Sequence, residues 1–197
     1  MIKGQKEPQR IKSERIDELA SKGYFKRRGV AIDGGAHVGS MSLKLAQYFD
    51  TVWAFDPCDE SYALLVENCQ HEHRILPMPM ALMSHCCSVD TRAPKGRTTL
   101  TARQVAYGGE IRAITIDSMK LECCDMIKLD LEGCEYLALQ GAVETIERFN
   151  PFLLIEINDE ELGRRLGHSN EDVLKLLKLL GYQQVYRSGV DRGYIHE

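Results

Sequence analysis

Residues 30–57 set the tightest limit on what this chain can fold into. Val30-Ala31-Ile32 is a short apolar run that stops at Asp33-Gly34-Gly35-Ala36-His37-Val38-Gly39. A buried strand entering a tight turn reads this way, because both faces of the strand need cover and glycines admit the turn. Over residues 40–49, Met41, Leu43, Leu45, Ala46 and Phe49 suit a helix packed on a sheet. Val52-Trp53-Ala54-Phe55 is then a second β-prone run, and it ends at Asp56-Pro57. Strand, glycine loop, helix, strand and acid make a right-handed βαβ unit, which builds a parallel sheet.

The rest of the chain repeats this alternation. A helix is expected over 60–69, a strand over 126–129, a helix over 136–149, a strand over 152–157 and a helix over 172–180 that Gly181 can cap. Residues 183–187 and 193–196 read as two short strands, joined through Ser188-Gly189-Val190-Asp191 into a closing hairpin at the sheet edge. Ile11, Ile16 and Leu19 share one face of an N-terminal helix. Residues 74–112 hold Pro77, Pro79, Pro94, Gly96, Gly108 and Gly109, so short interrupted elements and a functional or flexible loop are expected there. At 197 residues the chain fits one domain. The expected division is a basic helical extension over 1–28 and an α/β domain over 29–197, with an irregular substrate loop at about 84–112.

Glycines after such a strand let the backbone approach a ligand, and the start of the next helix offers N–H groups to an anion. Asp56 lies 23 residues after Asp33, at the end of the next strand. A carboxylate there accepts the ribose hydroxyls of an adenosine-containing cofactor. The dinucleotide fingerprint G-x-G-x-x-G fits only as Gly34-x-Ala36-x-x-Gly39, with alanine where close approach to a pyrophosphate needs glycine. The pattern D-x-G-x-(G/N/H)-x-G fits better. A nucleoside cofactor without pyrophosphate is therefore favoured over a nicotinamide dinucleotide.

Further segments make the chain similar to one family. Ala31-Ile32-Asp33-Gly34-Gly35-Ala36-His37-Val38-Gly39 and Val52-Trp53-Ala54-Phe55-Asp56-Pro57 are followed by Met80-Ala81-Leu82 and Ile114-Thr115-Ile116-Asp117. Asp125-Met126-Ile127-Lys128-Leu129-Asp130-Leu131-Glu132-Gly133-Cys134-Glu135 is the most distinctive stretch, and Asn150-Pro151-Phe152-Leu153-Leu154-Ile155-Glu156 closes the series. From about residue 30 to 157 the chain resembles the FkbM-type methyltransferase family. It departs from the common pattern at His37, where the family has asparagine, and at Asp56, where it has glutamate. The first 28 residues and residues 84–112 lie outside the resemblance.

The resemblance implies a single doubly wound, mostly parallel seven-stranded sheet of the Rossmann-like class I methyltransferase kind, with S-adenosylmethionine as cofactor. It places Gly34, Gly35 and Gly39 around the cofactor's methionine end, Asp56 at the ribose and Ala81 near adenine, with Asp33, Ala36, His37 and Pro57 also among the expected cofactor contacts. Asp130 would sit beside the cofactor's amino group or the reacting centre. Methyl transfer is an in-line displacement at an activated sulfonium, so the protein supplies positioning and, for a hydroxyl acceptor, a base. Asp130, His37 and Glu132 are the catalytic candidates. Glu135 is a further strand-end acid, and Glu132 and Glu135 also suit the first turn of a helix. Asp130 and Glu156 end consecutive strands, an arrangement by which catechol-type methyltransferases hold magnesium; no metal is expected here, and Glu156 is expected to bind the acceptor. The alternative to an enzyme is a binding module that keeps the cofactor fold without turnover.

Charge distribution bears on the acceptor. Residues 1–28 carry nine Lys/Arg against four Asp/Glu and residues 91–112 five against one, on a chain of net charge −4. The remainder is therefore acidic. Arg92, Lys95, Arg97 and Arg103 lie in the irregular region, where a phosphorylated or otherwise anionic acceptor would suit them. The expected acceptor is a small molecule or glycan, taken as O-methylated. An acidic body without an aromatic–basic pattern argues against extended nucleic-acid binding. No run approaches the roughly 20 apolar residues of a membrane span, residues 1–15 lack a secretory apolar core, and the seven cysteines form no Cys-x-x-Cys pair. A cytoplasmic protein with reduced cysteines is expected.

Overall fold

The computed structural model describes residues 2–4, 7–92, 103–157 and 163–197. Its helices are α1 (Glu7–Ser21), α2 (Ser40–Leu45), α3 (Asp59–Cys69), α4 (Glu135–Gln140), α5 (Val143–Phe149) and α6 (Asn170–Leu179). The seven strands of the main sheet are β1 (Val30–Gly34), β2 (Thr51–Phe55), β3 (Ile75–Met78), β8 (Met126–Leu129), β9 (Phe152–Glu156), β10 (Tyr182–Ser188) and β11 (Asp191–His196). Their spatial order is β10-β11-β9-β8-β1-β2-β3. β11 alone runs antiparallel to its neighbours, β9 and β10. The expected hairpin is present and longer than the sequence suggested, and its return strand sits inside the sheet, so β10 forms the edge.

Alternation along the strands divides the core into two layers. Ile32, Ile127, Leu129, Leu153 and Ile155 pack with Leu139, Ile146, Val173 and Leu177 of α4, α5 and α6. On the other face Ala31, Val52, Ala54, Met126 and Leu154 meet Ile16, Leu19, Leu45 and Leu65 of α1, α2 and α3. Each fully buried aliphatic side chain contributes about 1.5–3 kcal/mol relative to exposure, so both helical layers are held mainly by area removed from water. Polar bonds then fix α1 in place. Asp17 accepts from Lys44 at 2.9 Å and from the Tyr48 hydroxyl at 2.6 Å, Glu18 accepts from the Tyr186 hydroxyl at 2.8 Å, and Arg15 pairs with Asp191. Ile11 lies outside the described side chains. No described helix is long and apolar enough to cross a membrane.

The structure departs from the expected elements in two places. Residues 136–149 are two helices, because the backbone at Gly141 passes so near the Met83 carbonyl that a Cβ there would lie 2.1 Å from its oxygen. The new helix start is served from outside: the Asp117 carboxylate accepts the N–H groups of Glu144 and Thr145 and the Thr145 hydroxyl. Residues 74–112, expected to be irregular, contribute β3 to the main sheet and build most of a second one. Its strands are β4 (Ala81–Leu82), β5 (Cys87–Arg92), β6 (Gln104–Tyr107) and β7 (Ile111–Ile114), in the order β4-β7-β5-β6. Pro94 and Gly96 lie outside the described residues, and Gly108 and Gly109 fall at the turn between β6 and β7, with φ of 83° and 130°. They punctuate strands instead of excluding them. Val89, Val105 and Ala113 bury this sheet against Cys134 and Leu137 at the start of α4.

Gly141→Ala should destabilise the protein by about 1–3 kcal/mol through overpacking against Met83. The expected signature is a lower denaturant midpoint with an unchanged slope. Since φ here is −81°, a neutral result would mean that the joint relaxes freely.

Candidate functional site

The chain runs outward from β1 to β2 and β3, then returns to β8 on the other side of β1. That reversal opens a crevice at the carboxyl ends of β1 and β8, the place where open α/β sheets bind ligands. The register sets Asp33 beside Lys128 and Gly34 beside Leu129. The glycine loop and the loop after β8 therefore leave the sheet side by side.

These two loops are packed backbone to backbone. The Asp130 N–H donates to the Gly34 carbonyl at 3.1 Å. A Cβ at Gly35 would lie 1.9 Å from the Asp130 carbonyl oxygen, and Gly35 has φ of 74°; only glycine meets both conditions. Gly39, with φ of 88°, lets the start of α2 pass against Leu65 and Cys69 of α3. The N–H groups of Gly35 and Ala36 both donate to the Phe55 carbonyl at 2.9 Å, and those of His37 and Gly39 donate to Asp56 and the Ala36 carbonyl. These four N–H groups serve the loop itself, so its glycines contribute closeness of approach.

Beneath the loop is a buried charge pair. Lys128 Nζ lies 2.9 Å from Asp33 Oδ1 and donates at 2.9 Å to the carbonyls of both Gly34 and Gly35. The Ser42 hydroxyl donates to Asp33 Oδ2 at 2.6 Å. Asp33, expected among the cofactor contacts, is fully buried below them. Lys128 stands in the most distinctive stretch of the sequence but is not among the site residues expected from it. The signal was a lysine between Ile127 and Leu129 in an otherwise apolar strand, since a charge so placed needs a buried partner.

Asp56 forms the second wall. Its Oδ2 accepts the His37 N–H at 2.9 Å, while its Oδ1 accepts the Cys58 N–H at 3.0 Å and the Ser61 hydroxyl. Burial pushes its pKa up, and these donors and His37 oppose the shift. A carboxylate has about four acceptor sites, so one remains for a ligand hydroxyl on Oδ2. Pro57 follows at the rim and is half-buried. Ala81, at the start of β4, is packed in the core of the second sheet. His37 is half-buried with φ of 51°, a left-handed conformation stabilised by its backbone bond to Asp56.

The carboxylates named as candidates on separate grounds gather in one place. Asp130, Glu132 and Glu156 each bring an oxygen within 4.8 Å of the others. Glu132 has φ of 52°, and Gly133 follows at 102°. Such a turn re-aims the chain just past the sheet, and that spacing could serve a shared proton or a hard divalent cation. Glu135, the first residue of α4, is buried beneath this turn and accepts the N–H groups of Leu131 at 2.7 Å and Gly133 at 3.1 Å. The basic residues are more dispersed. Arg92 is exposed and 3.5 Å from Asp90, and Arg103 bonds Glu60 in the first turn of α3 at 2.9 Å. Lys95 and Arg97 lie outside the described residues.

Burial, reinforced by the charge of Asp130, pushes the Glu135 pKa from 4.5 up to about 7. The folded protein thus keeps a proton that the unfolded chain has released, so stability declines as pH rises from about 4.5 through about 7. Glu135→Gln should flatten this slope. Relative to wild type, the variant should gain on the order of 2–3 kcal/mol between pH 5 and pH 8, measured by denaturant unfolding; parallel pH profiles would show that Glu135 titrates normally.

A sequence profile of the methyltransferase FkbM domain matches residues 33–184. No curated protein sequence matches the chain. Among solved structures, methyltransferase FkbM from Methylobacillus flagellatus KT is similar with a TM-score of 0.58 at 20% identity, over 86% of this chain and 44% of that one. The chain therefore spans less than half the length of that relative. Magnesium protoporphyrin IX methyltransferase (ChlM) from Synechocystis PCC 6803, solved with bound SAM, gives a TM-score of 0.55 at 15% identity, over 96% and 79% of the two chains. The fibrillarin pre-rRNA processing protein of Methanococcus jannaschii gives 0.52 at 11% identity, over 87% and 66%. At such identities the likeness to these structures is one of fold. The profile, by contrast, runs from the acid that opens the glycine loop into the final hairpin, and on that match the chain belongs to the methyltransferase FkbM domain family.

Proposed function

We propose that this chain transfers the methyl group of S-adenosylmethionine to a hydroxyl oxygen of a small-molecule or glycan-type acceptor. The cofactor is S-adenosylmethionine, which supplies, when bound, a methyl group on a sulfonium sulfur that needs no further activation. The crevice fits it at the second wall, where Asp56, beside the glycine loop, keeps an acceptor on Oδ2 for a ribose hydroxyl.

The observation that carries the choice of oxygen is the convergence of Asp130, Glu132 and Glu156 within 4.8 Å, beside the glycine loop and at the carboxyl ends of β8 and β9. A hydroxyl becomes nucleophilic as its proton leaves, and a carboxylate within hydrogen-bond reach can take that proton while the oxygen forms its bond to the methyl carbon and the carbon–sulfur bond breaks, its electron pair staying on sulfur as S-adenosylhomocysteine leaves. The same cluster favours a neutral hydroxyl over a phosphate at the reacting position. An anionic portion of an acceptor would meet Arg92 and Arg103 farther out, in competition with Asp90 and Glu60.

Exchanging the carboxylates singly for amides tests this. One of Asp130→Asn, Glu132→Gln and Glu156→Gln should lower kcat by about 10²–10⁴-fold, with S-adenosylhomocysteine affinity retained in the two glutamate variants. Activity should persist in the presence of a chelator. Mass spectrometry across a panel of hydroxylated acceptors should place the methyl group on oxygen. A product methylated on nitrogen or carbon, or cofactor binding with no turnover on a broad panel, would overturn the proposal.

A further inference from the structure

We infer that Lys128 is the positioning residue of the cofactor loop, setting its shape, and hence cofactor affinity, before anything binds. The inference rests on S-adenosylmethionine as the cofactor.

Lys128 is an expensive residue where it stands. It is 5% exposed, and burying an ammonium costs several kcal/mol unless partners replace its water. Its neighbours Met126, Ile127 and Leu129 are all buried, and a leucine or methionine at 128 would continue the strand at no such cost. What the ammonium gains is three acceptors at 2.9 Å: Asp33 Oδ1 and the carbonyls of Gly34 and Gly35. Two of the three belong to the loop that meets the cofactor. The side chain therefore acts mainly on loop geometry.

The peptide bond explains how. A trans peptide is planar, with its C=O and N–H pointing in opposite directions. In the Gly34–Gly35 peptide the carbonyl accepts from Lys128 while the Gly35 N–H donates to the Phe55 carbonyl. In the Gly35–Ala36 peptide the carbonyl again accepts from Lys128 and the Ala36 N–H again donates to Phe55. Two consecutive peptide planes are each held at both ends, between an ammonium from β8 and a carbonyl from β2. Glycines alone would leave these planes wide conformational freedom. Clamping them means that cofactor binding need not supply the cost of ordering them. Asp33 neutralises the ammonium and is itself fixed by Ser42, so the clamp adds no net charge beneath the loop.

Hydrogen exchange on the unliganded wild type tests the clamp without any substitution. The amides of Gly35 and Ala36 should be as protected as those inside β1. Rapid exchange that slows only when S-adenosylhomocysteine is added would overturn the inference. The second test is the charge-neutral pair Asp33→Asn with Lys128→Met, in which no lone charge stays buried. It should melt within a few degrees of wild type, bind S-adenosylhomocysteine at least tenfold more weakly by calorimetry, and exchange faster at Gly35 and Ala36. A purely structural lysine would change melting and leave the affinity of the folded fraction unchanged; affinity within twofold of wild type would overturn the role of Lys128 alone. A wild type that binds neither S-adenosylmethionine nor S-adenosylhomocysteine would overturn the cofactor reading, and the role built on it as well.

Discussion

The parallel pairing of β1 with β8 joins two strands far apart in the chain, and the crevice depends on its register. Asp33 stands opposite Lys128 and Gly34 opposite Leu129. A slip of one residue would turn every side chain of β8 to the other face of the sheet. Lys128 would then point into the apolar layer built by Ile32, Leu153 and Ile155, while Ile127 or Leu129 would face Asp33. The ion pair thus opposes misregister as well as shaping the loop above it. Through the Asp130 N–H on the Gly34 carbonyl, that register also brings the carboxylate cluster to the cofactor loop.

Much of this architecture could be read from the sequence because its signals are local. The apolar run ending in Asp33-Gly34-Gly35, the run ending at Asp56 and the helical periodicity between them each lie within a dozen residues. They suffice for a doubly wound sheet with its ligand crevice at the glycine loop. What escaped was set by distant contacts. The partner of Lys128 is on another strand. The break at Gly141 comes from a carbonyl at Met83, and the second sheet comes from pairing among strands of two to six residues whose flanking glycines and prolines read as loop. The carboxylates were named for different roles, Asp130 and Glu132 for chemistry and Glu156 for acceptor binding. Only the left-handed backbone at Glu132 and the adjacency of β8 and β9 put them within 4.8 Å of one another.

The N-terminal segment shows the same limit. Its basic character suggested an appendage, whereas its buried residues, Ile16 and Leu19, belong to the core layer over β1 and β2. Arg15 reaches Asp191, whose backbone pairs with Glu156 in the sheet register. The first helix is therefore tied to β11, the strand paired with the one that carries Glu156. Arg15, one of the basic residues of that segment, is a tie to the sheet.

The second sheet meets different walls of the crevice. Its apolar face rests on Cys134 and Leu137, just past the carboxylate turn, and Arg103 at its far side holds Glu60, just past Asp56. Its inner strand β4 also reaches the glycine loop, because Leu82 packs in one core layer with Ile32, Phe55 and Leu129 and a Cβ on Gly34 would lie 3.1 Å from the Leu82 side chain. A change in β4 is therefore felt directly at that loop, whereas one in β5 or β6 reaches the crevice through its walls. Distance across this sheet grades how strongly a substitution there disturbs the loop.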